Sequence, residues 1–236
     1  MKPGSFIAIG GCHVQGYGAN GKKSFVQVVE ETTDQTAIHK VGVFPLKQNG
    51  KIIDFIGEYD PDMVLLQLGN YEYHASLKRI LKKRKKGSGL GSSSSEASAT
   101  PNTIPLTAPR KLHPLHRFII LPVIWIVLKR RTVLHLKLIK EYIKFYPDKK
   151  FVVLSPLVCL KETDNYIRQK GGQLMFRLFG GMANVTFINT HEILPADKRI
   201  FSDPFHLNAV GHKLLGEKVA RRMLESFQSK IYLAAS

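Results

Sequence analysis

Short apolar runs constrain this chain most. Residues 6–9, "MVLLQLG" over 63–69 and "KKFVVLSPL" over 149–157 are apolar nearly throughout instead of alternating. Strands that read this way are buried on both faces, and such a sheet is parallel with helices packed on either side. Two further runs, "AIHKVGVFPL" over 37–46 and "NVTFINTHEIL" over 184–194, read as strands two and five, the former ending at Pro45. Between them Ser24 and Gln27 have the spacing of a capping box, which predicts a helix through "FVQVVEET". "GKIIDFIGEY" reads as a short amphipathic helix before an Asp60-Pro61-Asp62 turn. "NAVGHKLLGEKVARRMLESF" reads as a closing helix with Val210, Leu214, Ala220, Met223, Leu224 and Phe227 on or near one face. The expected architecture is α/β: one three-layer α/β/α domain over 1–236 with a central parallel sheet. In that class sites lie at the carboxyl ends of strands. Cys12, Gly69 and Pro156 fall there.

The middle of the chain is different. The net charge is +17, and +14 of it lies between Lys78 and Lys144, where sixteen Lys/Arg face two acids. Seven of the nine residues from Lys78 to Lys86 are basic, and the Gly/Ser/Thr-rich stretch over 87–103 can bury little. We expect an inserted basic, partly disordered segment at about 76–131. The eleven residues from Phe118 to Leu128 are apolar and flanked on both sides by basic ones, through Arg131, with Pro122 expected to kink them. Such a segment suits either a helix packed on the sheet or one lying on an anionic membrane surface. Nucleic acid is disfavoured, since residues 76–112 hold no aromatic side chain for base stacking. The chain starts without the pattern of a signal peptide, and no apolar run is long enough to span a bilayer. The two cysteines, Cys12 and Cys159, are read as free thiols in a reducing, cytoplasmic setting, with Cys159 buried and inert.

The chemical signal is strongest in "FSDPFHLNAVGHKLLGEKVA". Asp203 stands three residues before His206, just ahead of a helix. A carboxylate there can fix one imidazole nitrogen and leave the other free as a base. The plainer alternative is a capping Asp beside an exposed His. At the other end, "IAIGGCHVQGYG" places Cys12 on a glycine turn after the first strand.

Together these blocks resemble the SGNH/GDSL hydrolase family. Gly10-Gly11-Cys12-His13-Val14-Gln15-Gly16 lies on its Gly-Asp-Ser-x-x-x-Gly turn, and Asp203-Pro204-Phe205-His206 on its Asp-x-x-His. "LQLGNYEY" lies where the family has Gly-x-Asn-Asp. The likeness covers roughly 1–75 and 147–228. Cys12 stands in place of the family Ser, Gly11 in place of its Asp, and Tyr71 in place of its Asn, with Asn70 one residue early. The glycine expected after strand two falls near Phe44-Pro45-Leu46. The resemblance implies a flavodoxin-like hydrolase fold and a Cys12–His206–Asp203 triad: nucleophile, general base then acid, and orienting carboxylate. A helix start behind Cys12 would favour its thiolate. Oxyanion donors would come from the Cys12 N–H, Asn70 and the N–H of Gly42 or Leu46, with His13, Gly69 and Tyr71 lining the pocket. The implied activity is ester hydrolysis through a thioester, on an O-acylated glycan or an acyl lipid. Acyl transfer by the same triad, or a non-catalytic relative docked at a membrane by its basic segment, are the alternatives. No cofactor is implied. No pair among Cys12, His13, Asp203 and His206 has metal-ligand spacing. His13 reads as a turn residue; His74, His113, His116 and His135 read as solvated.

Overall fold

A computed structural model describes residues 4–74 and 119–234, with side chains of the last helix described through Glu225. Its core is one sheet of five parallel strands: β1 (Ser5–Ile9), β2 (Thr36–Val41), β3 (Met63–Gln67), β4 (Lys150–Leu154) and β5 (Val185–Ile188). The spatial order is β2-β1-β3-β4-β5. The chain winds outward from β1 to β2, then crosses back to β3 and on to β5. The carboxyl ends of β1 and β3 therefore flank a topological switch point, where such sheets open a crevice.

The alternation of side chains across the strands builds two cores. Phe6, Ala8, Met63, Leu65, Val152 and Leu154 face a layer made by α1 (Phe25–Thr33) and the long last helix. Ile7, Ile9, Val64, Leu66, Phe151 and Val153 face α2 (Lys51–Tyr59), α3 (Leu121–Phe145) and α4 (Glu162–Phe179). A one-turn helix, α5 (Thr190–Ile193), follows β5, and α6 (Ala209–Ala234) closes the chain. The capping box at α1 forms: Ser24 Oγ accepts from Gln27 N at 3.2 Å, and Gln27 Oε1 accepts from Ser24 N at 2.8 Å.

Several expectations need correction. Strand two stops at Val41, and as an edge strand it is not covered on both faces. The closing helix buries Ala220 and Met223 and packs Leu214 on the core as expected, but its inner face is completed by Leu215 and Val219, whereas Val210 and Leu224 are exposed. Pro122 does not interrupt a helix. It occupies the first turn of α3, where its missing N–H has no intrahelical partner to lose. Helix α3 then runs unbroken through the segment expected as two pieces, burying Leu121, Ile124, Leu128, Leu136, Ile139 and Ile143. It is thus a layer of the fold; residues 75–118 of the expected insertion, with His113 and His116, lie outside the described residues. Helix α4 has no counterpart among the predicted elements, because Gly171-Gly172 at its middle weakens the helical pattern. The structure explains Gly171: a Cβ there would stand 2.6 Å from the ring of fully buried Tyr73.

Candidate active site

Cys12 sits at the carboxyl end of β1, beside the switch point. No helix start lies behind it, contrary to expectation. The chain instead coils through tight turns, with Val14 N bonded to Gly11 O at 3.0 Å, Gly16 N to His13 O at 3.0 Å and Tyr17 N to Cys12 O at 3.1 Å. Helix α1 begins only at Phe25. Glycines at positive φ break the turns at Gly16 and Gly18. A Cβ on Gly18 would collide with the Leu207 carbonyl, so this glycine lets the Cys12 turn press against the Asp203–His206 loop.

That loop holds the expected carboxylate–imidazole pair. His206 Nδ1 and Asp203 Oδ2 are 2.6 Å apart. The other Asp203 oxygen accepts from the N–H groups of Phe205 at 2.8 Å and His206 at 2.9 Å. Burial works against the Asp203 charge, but the His206 ring and these backbone donors outweigh it and hold the carboxyl below its usual range. Burial likewise opposes a charged His206. The Asp203 hydrogen bond and then the Cys12 side chain overcome it, and the imidazole pKa is pushed up to about 9. With Nδ1 committed to Asp203, Nε2 is the nitrogen left to serve the thiol. Tyr17 packs on the ring at 4.3 Å between centroids, and His13 lies at 5.4 Å.

His13 lies in the turn, as expected. It is buried, its Nδ1 lies 3.8 Å from Cys12 Sγ, and its Nε2 accepts from Leu207 N at 3.3 Å. Cys159 is also buried, which pushes its thiol pKa up, as expected of an inert cysteine. His74 and His135, expected to be solvated, are half-buried and engaged: His74 Nδ1 lies 3.8 Å from Asp164, and His135 Nδ1 lies 3.0 Å from Asn49 Nδ2.

The oxyanion side departs from expectation. The Leu46 N–H donates to Glu72 at 2.7 Å and is not free for a substrate. Gly42 contributes its carbonyl, which accepts from the Tyr71 hydroxyl at 3.0 Å, while the Gln15 side chain covers its α-carbon. The Tyr71 oxygen also interacts with the Cys12 backbone. Burial and the neighbouring Cys12 push the Tyr71 pKa up to about 12, so it stays a neutral hydroxyl. Asn70 turns Oδ1 to Leu157 N at 2.8 Å, and its Nδ2 is buried with no hydrogen-bond partner. Gly69, at φ +85°, makes the turn that carries Asn70 and Tyr71 to this edge.

Two supporting residues gave no sequence signal. Gln67, at the end of β3, accepts from the Gly11 N–H at 3.0 Å and steadies the turn that carries Cys12. Arg168, buried on α4, donates to Leu157 O at 3.0 Å and Asn70 O at 3.4 Å. Polar residues on an apolar strand or a glycine-interrupted helix look solvent-facing until the neighbouring loops are placed. Among the described residues no cluster of three or more His, Cys, Asp or Glu could hold a metal ion.

No protein-family model matches the sequence, and no curated protein sequence does. Solved structures do match in fold. A protein of the G-D-S-L family from Desulfitobacterium hafniense DCB-2 is 14% identical with a TM-score of 0.54, over 92% of this chain and 98% of that one. A family 3 carbohydrate esterase from Clostridium thermocellum is 12% identical at TM-score 0.56, with both chains covered in full (100% each). A variant of an acetyl-xylooligosaccharide esterase from Geobacillus Stearmophilus is 10% identical at TM-score 0.53, over 94% of this chain and 93% of that one. At these identities the likeness is one of fold: the all-parallel five-stranded sheet between helical layers is the architecture of these proteins.

Proposed function

We propose that this protein is an acyl-ester hydrolase that works through Cys12, His206 and Asp203. The observation that carries the reading is the 2.6 Å Asp203–His206 pair set beside a half-buried thiol at the switch point of the sheet. The Cys12 proton passes to His206 Nε2, the sulfur attacks the acyl carbon, and the carbonyl electrons move onto oxygen. When the tetrahedral species collapses, the C–O bond breaks and protonated His206 gives its proton to the departing alcohol, leaving a thioester. A water then attacks the thioester and His206 takes its proton; the C–S bond breaks, carboxylic acid leaves, and that proton restores the starting Cys12–His206 pair. Asp203 holds the ring throughout. An alcohol or amine in place of water would make the same site an acyltransferase. One similar structure is named a carbohydrate esterase, another an acetyl-xylooligosaccharide esterase and a third a lipolytic protein, so an O-acylated glycan and an acyl lipid are both substrate classes of this reading.

A non-catalytic reading has one specific observation behind it. The Leu46 N–H, an expected oxyanion donor, is taken by Glu72 at 2.7 Å. Loss of one oxyanion donor costs about 10²–10³ in rate. Intact mass after incubation with p-nitrophenyl acetate separates the two. An acetyl adduct confined to Cys12, absent in Cys12→Ala and slowed in His206→Ala, supports the enzyme. No adduct and no turnover, with both variants like the parent, overturns it in favour of a binding protein.

The outer face of α3 supports docking on an anionic membrane. Val123, Ile126, Leu134 and Leu138 are exposed on it, with Ile119 exposed just ahead of it, among exposed Lys129, Arg130, Arg131 and Lys137. Each basic residue near an anionic leaflet contributes about 1 kcal/mol. Among the described residues no helix is long and apolar enough to cross a membrane. Sedimentation with vesicles tests the docking: binding to phosphatidylserine-containing but not neutral vesicles is expected, and equal binding to both, or none, refutes it.

A further inference from the structure

We infer that His13 is a second hydrogen-bond donor to the Cys12 sulfur, so that the nucleophile lies between two imidazoles of different charge. The inference concerns the thiol itself and is read without an ester substrate, so it stands or falls apart from the hydrolase reading.

The tautomer of His13 follows from its backbone partner. Leu207 N lies 3.3 Å from His13 Nε2. A backbone N–H only donates, so Nε2 must be the accepting lone pair. A neutral imidazole carries a single N–H, which therefore sits on Nδ1. That nitrogen is 3.8 Å from Cys12 Sγ. The ring is neutral for stated reasons: it is buried, it faces His212, His206 and Arg168, and Asp203, acting in the opposite sense, is outweighed. These causes hold its pKa well below the usual value.

The neighbouring histidine has a different task. His212 Nδ1 accepts from Phe25 N at 3.1 Å, so its Nε2–H points to Tyr17 O at 3.0 Å. It ties α1 to the Cys12 turn and has no nitrogen left for the sulfur. His206 is cationic and paired with Asp203, so it both charges the site and moves the proton. His13 does neither. It offers a fixed dipole to the sulfur, which stabilises a thiolate without competing for the proton.

The distance also bears on why a thiol occupies this turn. A sulfur acceptor is reached at 3.8 Å, whereas N–H···O bonds lie at about 2.7–3.2 Å. A serine oxygen on the same Cβ would be closer to its own backbone and beyond the His13 N–H. Residues 12 and 13 thus form a unit matched to sulfur, and the thiol is part of the design of the turn.

The test is iodoacetamide alkylation of Cys12, followed by intact mass from about pH 5 to about pH 9, in three proteins. The groups facing the sulfur in this titration are His13, His206 and Tyr71, with Asp203 behind the His206 ring. His13→Gln keeps an acceptor near the ε position for Leu207 but has no donor at the δ position. His13→Asn keeps a δ-position N–H toward sulfur and gives up the Leu207 bond. The proposal expects alkylation at about pH 6.5 to slow about tenfold in His13→Gln, and to stay near the parent rate in His13→Asn. A purely structural His13 gives the reverse, with His13→Asn impaired and His13→Gln normal. That reverse pattern, or equal rates in all three proteins, or slowing in both variants, overturns the proposal. If His13→Gln does not fold, the nitrogen-15 spectrum of the parent decides. A proton on His13 Nδ1 supports the proposal; a bare Nδ1 overturns it.

Discussion

Replacing Asp203 by Asn should change how stability depends on pH, and the structure gives the sign. His206 titrates at about 9 in the folded protein against an ordinary 6.5. Below 6.5 the ring is protonated in folded and unfolded chains alike, and the folded state holds the cation better. That stabilisation is fully present there. It is lost as pH rises from 6.5 through about 9, because the unfolded chain has already released its proton. A shift of this size corresponds to about 3 kcal/mol at most. The side chain is about a quarter exposed (24%), so solvent screening reduces the figure to on the order of 1–2 kcal/mol. Asn keeps the shape and removes the 2.6 Å charged partner. The assay is urea unfolding at about pH 6 and about pH 10 for parent and variant. Cys12 is common to both proteins and cancels to first order in the difference. The parent should lose on order 1–2 kcal/mol more than Asp203→Asn over this range. The His206 ring resonance should titrate near 9 in the parent and lower by about one unit or more in the variant. Equal losses in both proteins, or a parent resonance titrating near 6.5, would refute the reasoning.

Three further outcomes are expected from denaturation. Ser24→Ala removes one half of the α1 capping box and should cost about 1 kcal/mol; no measurable change would remove the cap from the account. Leu136→Ala on the buried side of α3 should cost about 2–5 kcal/mol. Leu134→Ala, 61% exposed on the same helix, should stay within about 0.5 kcal/mol, and similar costs for both would mean that the helix faces are misassigned. Gly171→Ala sets a methyl against the buried Tyr73 ring and should destabilise by about 1–3 kcal/mol, whereas a neutral effect would show that the ring has room to move.

The sequence determined the layers because burial on both faces leaves a local mark. Residues 6–9, 63–66 and 151–154 are apolar without alternation, and they lie in the three central strands. The Ser24–Gln27 spacing determined a helix start, since a capping box is closed within four residues. Asp203 and His206 were legible as a pair for the same reason: their bond spans three residues and needs no distant partner. Tertiary structure decided what depends on residues far apart in the chain. The phase of α6 follows from its contact with α1, and α4 exists despite two central glycines because Tyr73 needs the space beside one of them. Which donors remain at the Cys12 edge turned on Glu72 reaching Leu46 and Tyr71 reaching Gly42, across 26 and 29 residues. The proton position on His13 was set by Leu207, across 194 residues. A local motif can place a thiol on a turn; the groups that hold the sulfur, and the state they hold it in, come from chain segments that only folding brings together.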